Sequence, residues 1–165
     1  MKIRTALRSL VVMLTALSVI AASAAYTKSF AATVAFQDTG VAYCLVNAYR
    51  MEHNLHVRKK SKKLRMLKRD SKLEAIARVR AEEMAMTGQF SHTRPNGKSG
   101  LSLIKGHKAK GENIAKGQTS CEQVSAEWFA SPGHRKNMLR RNFRKVGIAS
   151  CTYNGVTYWA EVFSS

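Results

Sequence analysis

VGIASCTYNGVTYWAEVF, residues 146–163, holds two alternating runs around Asn154-Gly155. Val146, Ile148, Ser150 and Thr152 alternate with Gly147, Ala149, Cys151 and Tyr153, and Val156 to Phe163 is rich in aromatic and β-branched residues. Asn-Gly between two such runs signals a hairpin, because a two-residue I′ turn needs positive φ at both central positions. Upstream the period becomes helical. Val41 to Glu52 carries Val41, Cys44, Leu45, Ala48 and Met51 at helical spacing, with His53-Asn54 as the stop. Ser71-Lys72-Leu73-Glu74 fits a capping box and opens a second helix that runs to Thr87-Gly88. Its apolar stripe, Leu73, Ile76, Ala77 and Met84, is interrupted by Arg80, whose stem can snorkel to water. Thr119-Ser120-Cys121-Glu122 opens a third helix with Val124 and Trp128 on its buried edge, and Ser131-Pro132-Gly133 ends it. Three helices, a terminal hairpin and a Gly-rich middle predict an α+β domain with helices packed on a sheet. Trp128, Tyr158 and Trp159 are expected to fill its core.

The first 25 residues read as a secretory signal peptide: Lys2, Arg4 and Arg8, an uncharged run from Ser9 to Ala22, then Ala22-Ser23-Ala24 suited to cleavage. The apolar run is short for a span of about 20 residues. A linker over 26–37 and one domain over 38–165 follow, in a secreted protein of the extracellular space or cell envelope. The net charge is +18, and the excess is concentrated. Between Arg58 and Lys72 stand nine lysines and arginines against one acid, Asp70. Such a run is a solvated face that can adhere to an anionic cell-envelope polymer or membrane surface, each basic residue adding ~1 kcal/mol at most. It lacks the interleaved aromatics that stack bases, so nucleic acid is not an expected partner. Spacing leaves three pairings open among Cys44, Cys121 and Cys151. Cys121 with Cys151 is favoured because a helix start could there face a sheet, and the odd count leaves one thiol free or paired between chains.

Three stretches bring polar groups to the ends of elements: FSHTRPNG (90–97), GENIA (111–115) and PGHRKNML (132–139). Singly, each has a structural explanation. His92 could cap a strand, Glu112 could accept N–H bonds in a tight turn, and His134 could cap the short helix it opens. Asn113 reads as a turn organiser whose amide ties neighbouring backbone. Arg94 and Arg135 could face an anionic ligand, though exposed arginines are common.

Taken in order, FSHTRPNG, GENIA, Trp128 with SPGHRKNML after it, VGIA and YWAEVF resemble the CAP superfamily of cysteine-rich secretory proteins, antigen 5 and pathogenesis-related proteins, in particular its small bacterial secreted members. The resemblance covers Val41 to Ser165. It implies an α/β/α sandwich, three main helices on a central antiparallel sheet, with a groove that holds two histidines and acidic residues and in some members binds divalent cations. His92 matches the first family histidine, Glu112 the glutamate of the GEN motif with Asn113 beside it, and His134 the second histidine. Ser131 stands three residues after Trp128, where many eukaryotic relatives carry a second glutamate. Glu127 points about 100° from residue 128 on a helix and is not taken as a substitute.

Two neutral imidazoles and a carboxylate can hold Zn2+ or another divalent cation with one position open, the pattern of a catalytic zinc site. If Glu112 instead hydrogen-bonds a histidine, it orients that ring, and two histidines make a weak, exchangeable site. A nearby carboxylate would raise the histidine pKa values and make occupancy depend on pH around 6 to 7. The resemblance most often implies a binding module that takes a cation, a lipid or a peptide without turnover. A hydrolase using His92, His134 and Glu112 as metal ligands or as acid and base is the second reading. Ser91 and Ser131 neighbour these residues, yet neither reads as an activated nucleophile. Adhesion through segment 58–72 is the third.

Overall fold

The computed structural model describes residues 34–165, so the expected signal peptide and the linker up to residue 33 lie outside the described residues. Helices α1 (Gly40–Leu55), α2 (Ser71–Thr87), α3 (Cys121–Ala130) and α4 (Pro132–Met138) accompany strands β1 (Lys68–Arg69), β2 (Lys110–Lys116), β3 (Lys145–Tyr153) and β4 (Val156–Ser164). The hairpin forms as its sequence dictates. Asn154 has φ 50° and Gly155 has φ 75°, and β3 pairs with β4 from Tyr153↔Val156 to Lys145↔Ser164.

The sheet order is β1-β3-β4-β2. The sheet is mixed rather than purely antiparallel, because β1 lies parallel to β3 through Lys68↔Lys145 and Arg69↔Val146. Strand β2, the GENIA stretch, is an extended edge strand and not a turn. It pairs antiparallel with β4 from Lys110↔Ser164 to Lys116↔Tyr158. The alternation of β4 sends Trp159 and Phe163 to one face and Tyr158, Ala160 and Val162 to the other. One face packs against Ala42 and Val46 of α1 and Val124 and Trp128 of α3. The opposite face packs against Leu73, Ala77, Ala81, Met84 and Ala85 of α2. The result is a three-layer α/β/α sandwich with two apolar layers.

Four local expectations change. The α1 stripe Val41, Cys44, Ala48 and Met51 faces outward, and Ala42, Val46, Asn47 and Arg50 face inward. Two polar residues are tolerated inside because most of their hydrogen bonds are met, Arg50 Nη2 being the exception. Asn47 donates to Leu67 O (3.1 Å) and accepts from Leu67 N (2.8 Å), and Arg50 donates to Arg65 O (2.8 Å), Met138 O (2.6 Å) and Arg140 O (3.2 Å). The α2 cap is Asp70, whose carboxylate accepts from Lys72 N and Leu73 N, while Glu74 pairs with Arg69 at 2.6 Å. The α3 cap is Ser120, one residue later than expected, and it accepts from Gln123 N. Cys121 and Cys151 belong to apolar layers on opposite faces of the sheet, so they do not form the favoured disulfide. All three cysteines are free, Cys44 exposed, and burial pushes the Cys121 and Cys151 thiols up from their ordinary pKa.

The approach of α2 to the sheet depends on one glycine. A Cβ on Gly147 would lie 2.1 Å from Glu74 N and 2.2 Å from the Leu73 carbonyl carbon, both backbone atoms that cannot yield. Gly147→Ala is expected to destabilise the fold by about 3 kcal/mol, measured by urea unfolding. Wild-type stability in that variant would mean that α2 and β3 can separate freely.

Candidate functional site

Glu112 lies on β2 and points toward α2. Its Oε2 accepts from Arg80 Nε at 3.0 Å, and its Oε1 accepts from His92 Nδ1 at 2.9 Å. Arg80 does not snorkel; it is fully buried. Its Nη1 donates to Glu83 Oε2 (2.7 Å) and its Nη2 to Ser91 O (2.6 Å). A buried guanidinium is tolerated only when its donors are matched in this way. The signal for it in the sequence was the one charged residue inside an apolar helical stripe. Gly100 lets the backbone reach this cluster, since a Cβ there would lie 2.1 Å from Glu112 Oε2 and 2.6 Å from Arg80 Nε.

The 88–99 loop is folded to present His92. Arg94 N donates to Lys98 O (2.8 Å), Gly97 N to Arg94 O (2.9 Å) with Gly97 at φ 78°, and Gly100 N to His92 O (2.8 Å). Because the Glu112 carboxylate takes the Nδ1–H, Nε2 is the available lone pair of His92. The His92 side chain is 59% exposed, so that lone pair meets solvent. Arg94 binds Glu83 at 2.6 Å and is not free for an anion. Arg135 Nη1 donates to Phe129 O at the end of α3 and is likewise engaged.

Helix α4 begins at Pro132, which places His134 at its third position. Asn113 holds α4 to the sheet. Its Nδ2 donates to His134 O (3.2 Å) and Glu161 Oε2 (2.9 Å), and its Oδ1 accepts from Asn137 Nδ2 (2.9 Å). Asn137 also donates to Glu112 O at 3.3 Å. Asn113 therefore ties backbone as expected, but across the fold to residue 134 rather than within a turn. Burial lowers the His134 pKa, and the neighbouring His92 charge lowers it further, which reverses the expected upward shift.

A cavity of about 470 Å3 opens beside His134, with Phe90, Ile114 and Trp128 on its apolar side and Lys116, Glu127 and Ser131 on its polar side. His134 lines it; His92, Glu112 and Asn113 do not. Glu127 was set aside on sequence, yet it lines the same cavity as Ser131. Residues 127 and 131 are four apart at the end of α3 and share a face, which outweighs the 100° offset from residue 128. Glu127 accepts from Gln118 Nε2 and from Gln123 Nε2 (3.2 Å).

Zinc would have to compete for Glu112 with the hydrogen bonds that it already accepts. Both its oxygens are held, one by Arg80 and one by His92. Among the described residues no group of three His, Cys, Asp or Glu is placed to hold a metal ion. The expected set of His92, His134 and Glu112 does not fit a resident three-ligand site, because Glu112 serves as the orienting partner of His92.

The fold is a three-layer sandwich in which the GEN glutamate orients an exposed histidine and a second histidine lines a cavity. The chain belongs to the CAP group, the Cysteine-rich secretory protein family, whose family model matches residues 43–164. The protein YkwD of Bacillus subtilis (strain 168) is 35% identical over 104 residues, covering 61% of this chain and 40% of YkwD. An extracellular protein containing a SCP domain from Bacillus anthracis str. Ames superposes with TM-score 0.63 at 25% identity, covering 74% of this chain and 38% of that one. NaASP2 crystallised with Zn2+ superposes with TM-score 0.58 at 18% identity, covering 76% of this chain and 77% of that one, and this shows the fold alone. The chain thus spans about two fifths of the length of the two Bacillus proteins. Among the described residues no helix is long and apolar enough to cross a membrane.

The lowered His134 pKa carries a sign. Its imidazole stays neutral below the ordinary value of about 6.5, so folding loses stability only as pH falls far enough to protonate it in the unfolded chain first. An NMR titration is expected to give a His134 midpoint below 6.5, moving up toward that value in His92→Ala. A midpoint above 6.5 in the wild type would contradict the burial argument. Gly100→Ala is expected to cost about 1–3 kcal/mol by parting Arg80 from Glu112, read in thermal unfolding.

Proposed function

We propose that this is a secreted, non-catalytic binding module whose groove takes a small, partly apolar ligand, such as a peptide side chain or a short acyl chain, with its polar end at His134. The observation that carries the reading is the cavity itself. Phe90, Ile114 and Trp128 offer apolar wall, while His134, Ser131, Lys116 and Glu127 supply a few converging polar groups, the usual make-up of a small-molecule site. Its volume of about 470 Å3 is within the common range for such sites. The extracellular assignment follows the description of the Bacillus anthracis relative and the secretory reading of residues 1–25.

A divalent cation would be held only loosely, between His134 on the cavity wall and His92, which does not line the cavity. His92 offers Nε2 and His134 a neutral ring, and Glu112 supports the first without donating to metal. Such a two-imidazole contact exchanges readily and follows pH through the protonation of the rings.

Two titrations test this. Dodecanoate and a series of apolar tripeptides are expected to change the tryptophan fluorescence of the wild type, with the response reduced about fivefold or more in Phe90→Ser. Calorimetry with zinc is expected to give weak, chelator-reversible binding that disappears in His92→Ala with His134→Ala. Zinc uptake unchanged in that double variant would remove the groove from the account. Turnover of a peptide or ester panel that is lost in Glu112→Gln would replace the binding module with the hydrolase reading.

A further inference from the structure

A second basic segment joins the run at 58–72. Residues 135–145 contain six lysines and arginines and no acid. Three links hold the segments side by side. Arg141 Nη2 donates to Ser61 O at 2.5 Å, Lys68 N donates to Arg144 O at 2.8 Å, and β1 runs parallel to β3 with Lys68 opposite Lys145. Beneath them the buried Arg50 donates to Arg65 O on one segment and to Met138 O and Arg140 O at the other. Like charges are thereby held together by backbone pairing, by the interior Arg50 and, among the exposed cations, by Arg141.

Little neutralises this face. Among the described residues its ion pairs are Arg69 with Glu74 and Lys145 with Asp70, and its other basic side chains form none. Glu52 is the one further acid across residues 51–72. Lys59, Lys60, Lys62 and Lys63 are exposed, while Leu64 and Leu67 anchor the loop below them.

Apolar side chains decide the partner. The three most exposed large apolar residues among those described are Leu55 (81%), Met66 (57%) and Met51 (55%). All three lie in the basic run or in the last turns of α1 that lead into it. Asn54, beside Leu55, holds α1 against the run by bonding both Leu64 N (2.7 Å) and Leu64 O (2.9 Å). A soluble polyanion gains from lysines and gains nothing from exposed leucine and methionine; a lipid bilayer gains from both. We infer that the edge formed by residues 51–69 and 140–145 docks on an anionic lipid bilayer, with lysines and arginines at headgroup phosphates and Leu55, Met66 and Met51 entering the interface. Strand β1 is at this edge of the sheet and β2, which carries Glu112, is at the other. The groove therefore stays open to its own ligand, and the inference does not depend on what that ligand is.

The test compares full-length variants, so the N-terminal residues are common to all. Partition is measured by sedimentation with phosphatidylglycerol–phosphatidylcholine vesicles and with pure phosphatidylcholine vesicles, and a parallel arm measures affinity for inorganic polyphosphate. Every substituted position is exposed, and circular dichroism checks the fold. Preference for the anionic vesicles is expected to fall about tenfold or more at low salt in the quadruple variant Lys59→Gln, Lys60→Gln, Lys62→Gln, Lys63→Gln. Arg140→Gln with Arg141→Gln is expected to reduce it about threefold or more. Leu55→Ser with Met66→Ser is expected to weaken vesicle binding about fivefold or more while leaving polyphosphate affinity unchanged. Undiminished vesicle binding in the Leu55/Met66 variant would make the face a general polyanion binder and overturn the membrane assignment. Undiminished binding in the Arg140/Arg141 variant would overturn the composite face.

Discussion

The side chain of Arg80 is almost wholly buried, and the geometry around Glu112 and His92 depends on how its charge is met. Removing such a group from water costs several kcal/mol, and the cost is recovered only by close, well-aimed partners. Arg80 finds them in three separate pieces of chain: Glu112 on β2, Glu83 one turn along its own helix, and Ser91 O in the loop. Meeting those demands fixes the distance from α2 to β2 and draws the 88–99 loop down beside them. The orientation of His92 is a consequence, since the second oxygen of the same Glu112 takes its Nδ1–H. A carboxylate that looks like a metal ligand in a list of residues is here the hinge between an interior cation and a surface ring.

Arg50 plays the corresponding part on the other face of the sheet. Its donors go to the carbonyls of Arg65, Met138 and Arg140, so one interior group ties α1 to the basic loop and to the end of α4. Burial, aided by the Arg144 charge, pulls its pKa down to about 10. On the same side Glu161 is fully buried, and burial pushes its carboxyl up to about 8 against the opposing pull of Asn113 and Arg50. Asn113 and Asn137 carry this polar network to the backbone of Glu112 and His134. The His92 ring is thus oriented through Glu112 and Arg80, and the backbone of His134 is tied through the amides. This arrangement makes the site directional, because hydrogen bonds specify angles that apolar packing leaves open.

Legibility in the sequence tracked how local each cause was. The β3–β4 hairpin was readable because Asn154-Gly155 and a period of two are set by neighbours in the chain. Helix α2 was readable for the same reason, but its cap was not: Asp70 and Ser71 can both cap, and the contest was settled when Glu74 paired with Arg69. Helix α1 was found and its face inverted, since Asn47 and Arg50 look like surface residues until the loop carbonyls that receive them are in view. Strand β2 was hidden because Gly111, Glu112 and Asn113 have poor strand propensity and become a strand on the edge that β4 provides. Of the three residues read together from the motifs, the structure joins His92 to Glu112 by a hydrogen bond and sets His134 on the cavity wall, while the buried Arg80 beneath them and Glu127 beside Ser131 were not expected there.

By itself the sequence determined the α+β class, the terminal hairpin, the positions of the three main helices, family membership and the concentration of charge between Arg58 and Lys72. Each of these rests on periodicity, turn chemistry or composition, which act over a few residues. Only the tertiary structure decided that Glu112 is held by Arg80 and His92 rather than free for a metal, that Cys121 and Cys151 sit on opposite faces of the sheet, and that two basic segments share one edge. Those outcomes depend on which distant groups the fold brings to each buried donor, and the energy of a buried polar contact is set by the partner and its geometry, neither of which is encoded next to it in the chain.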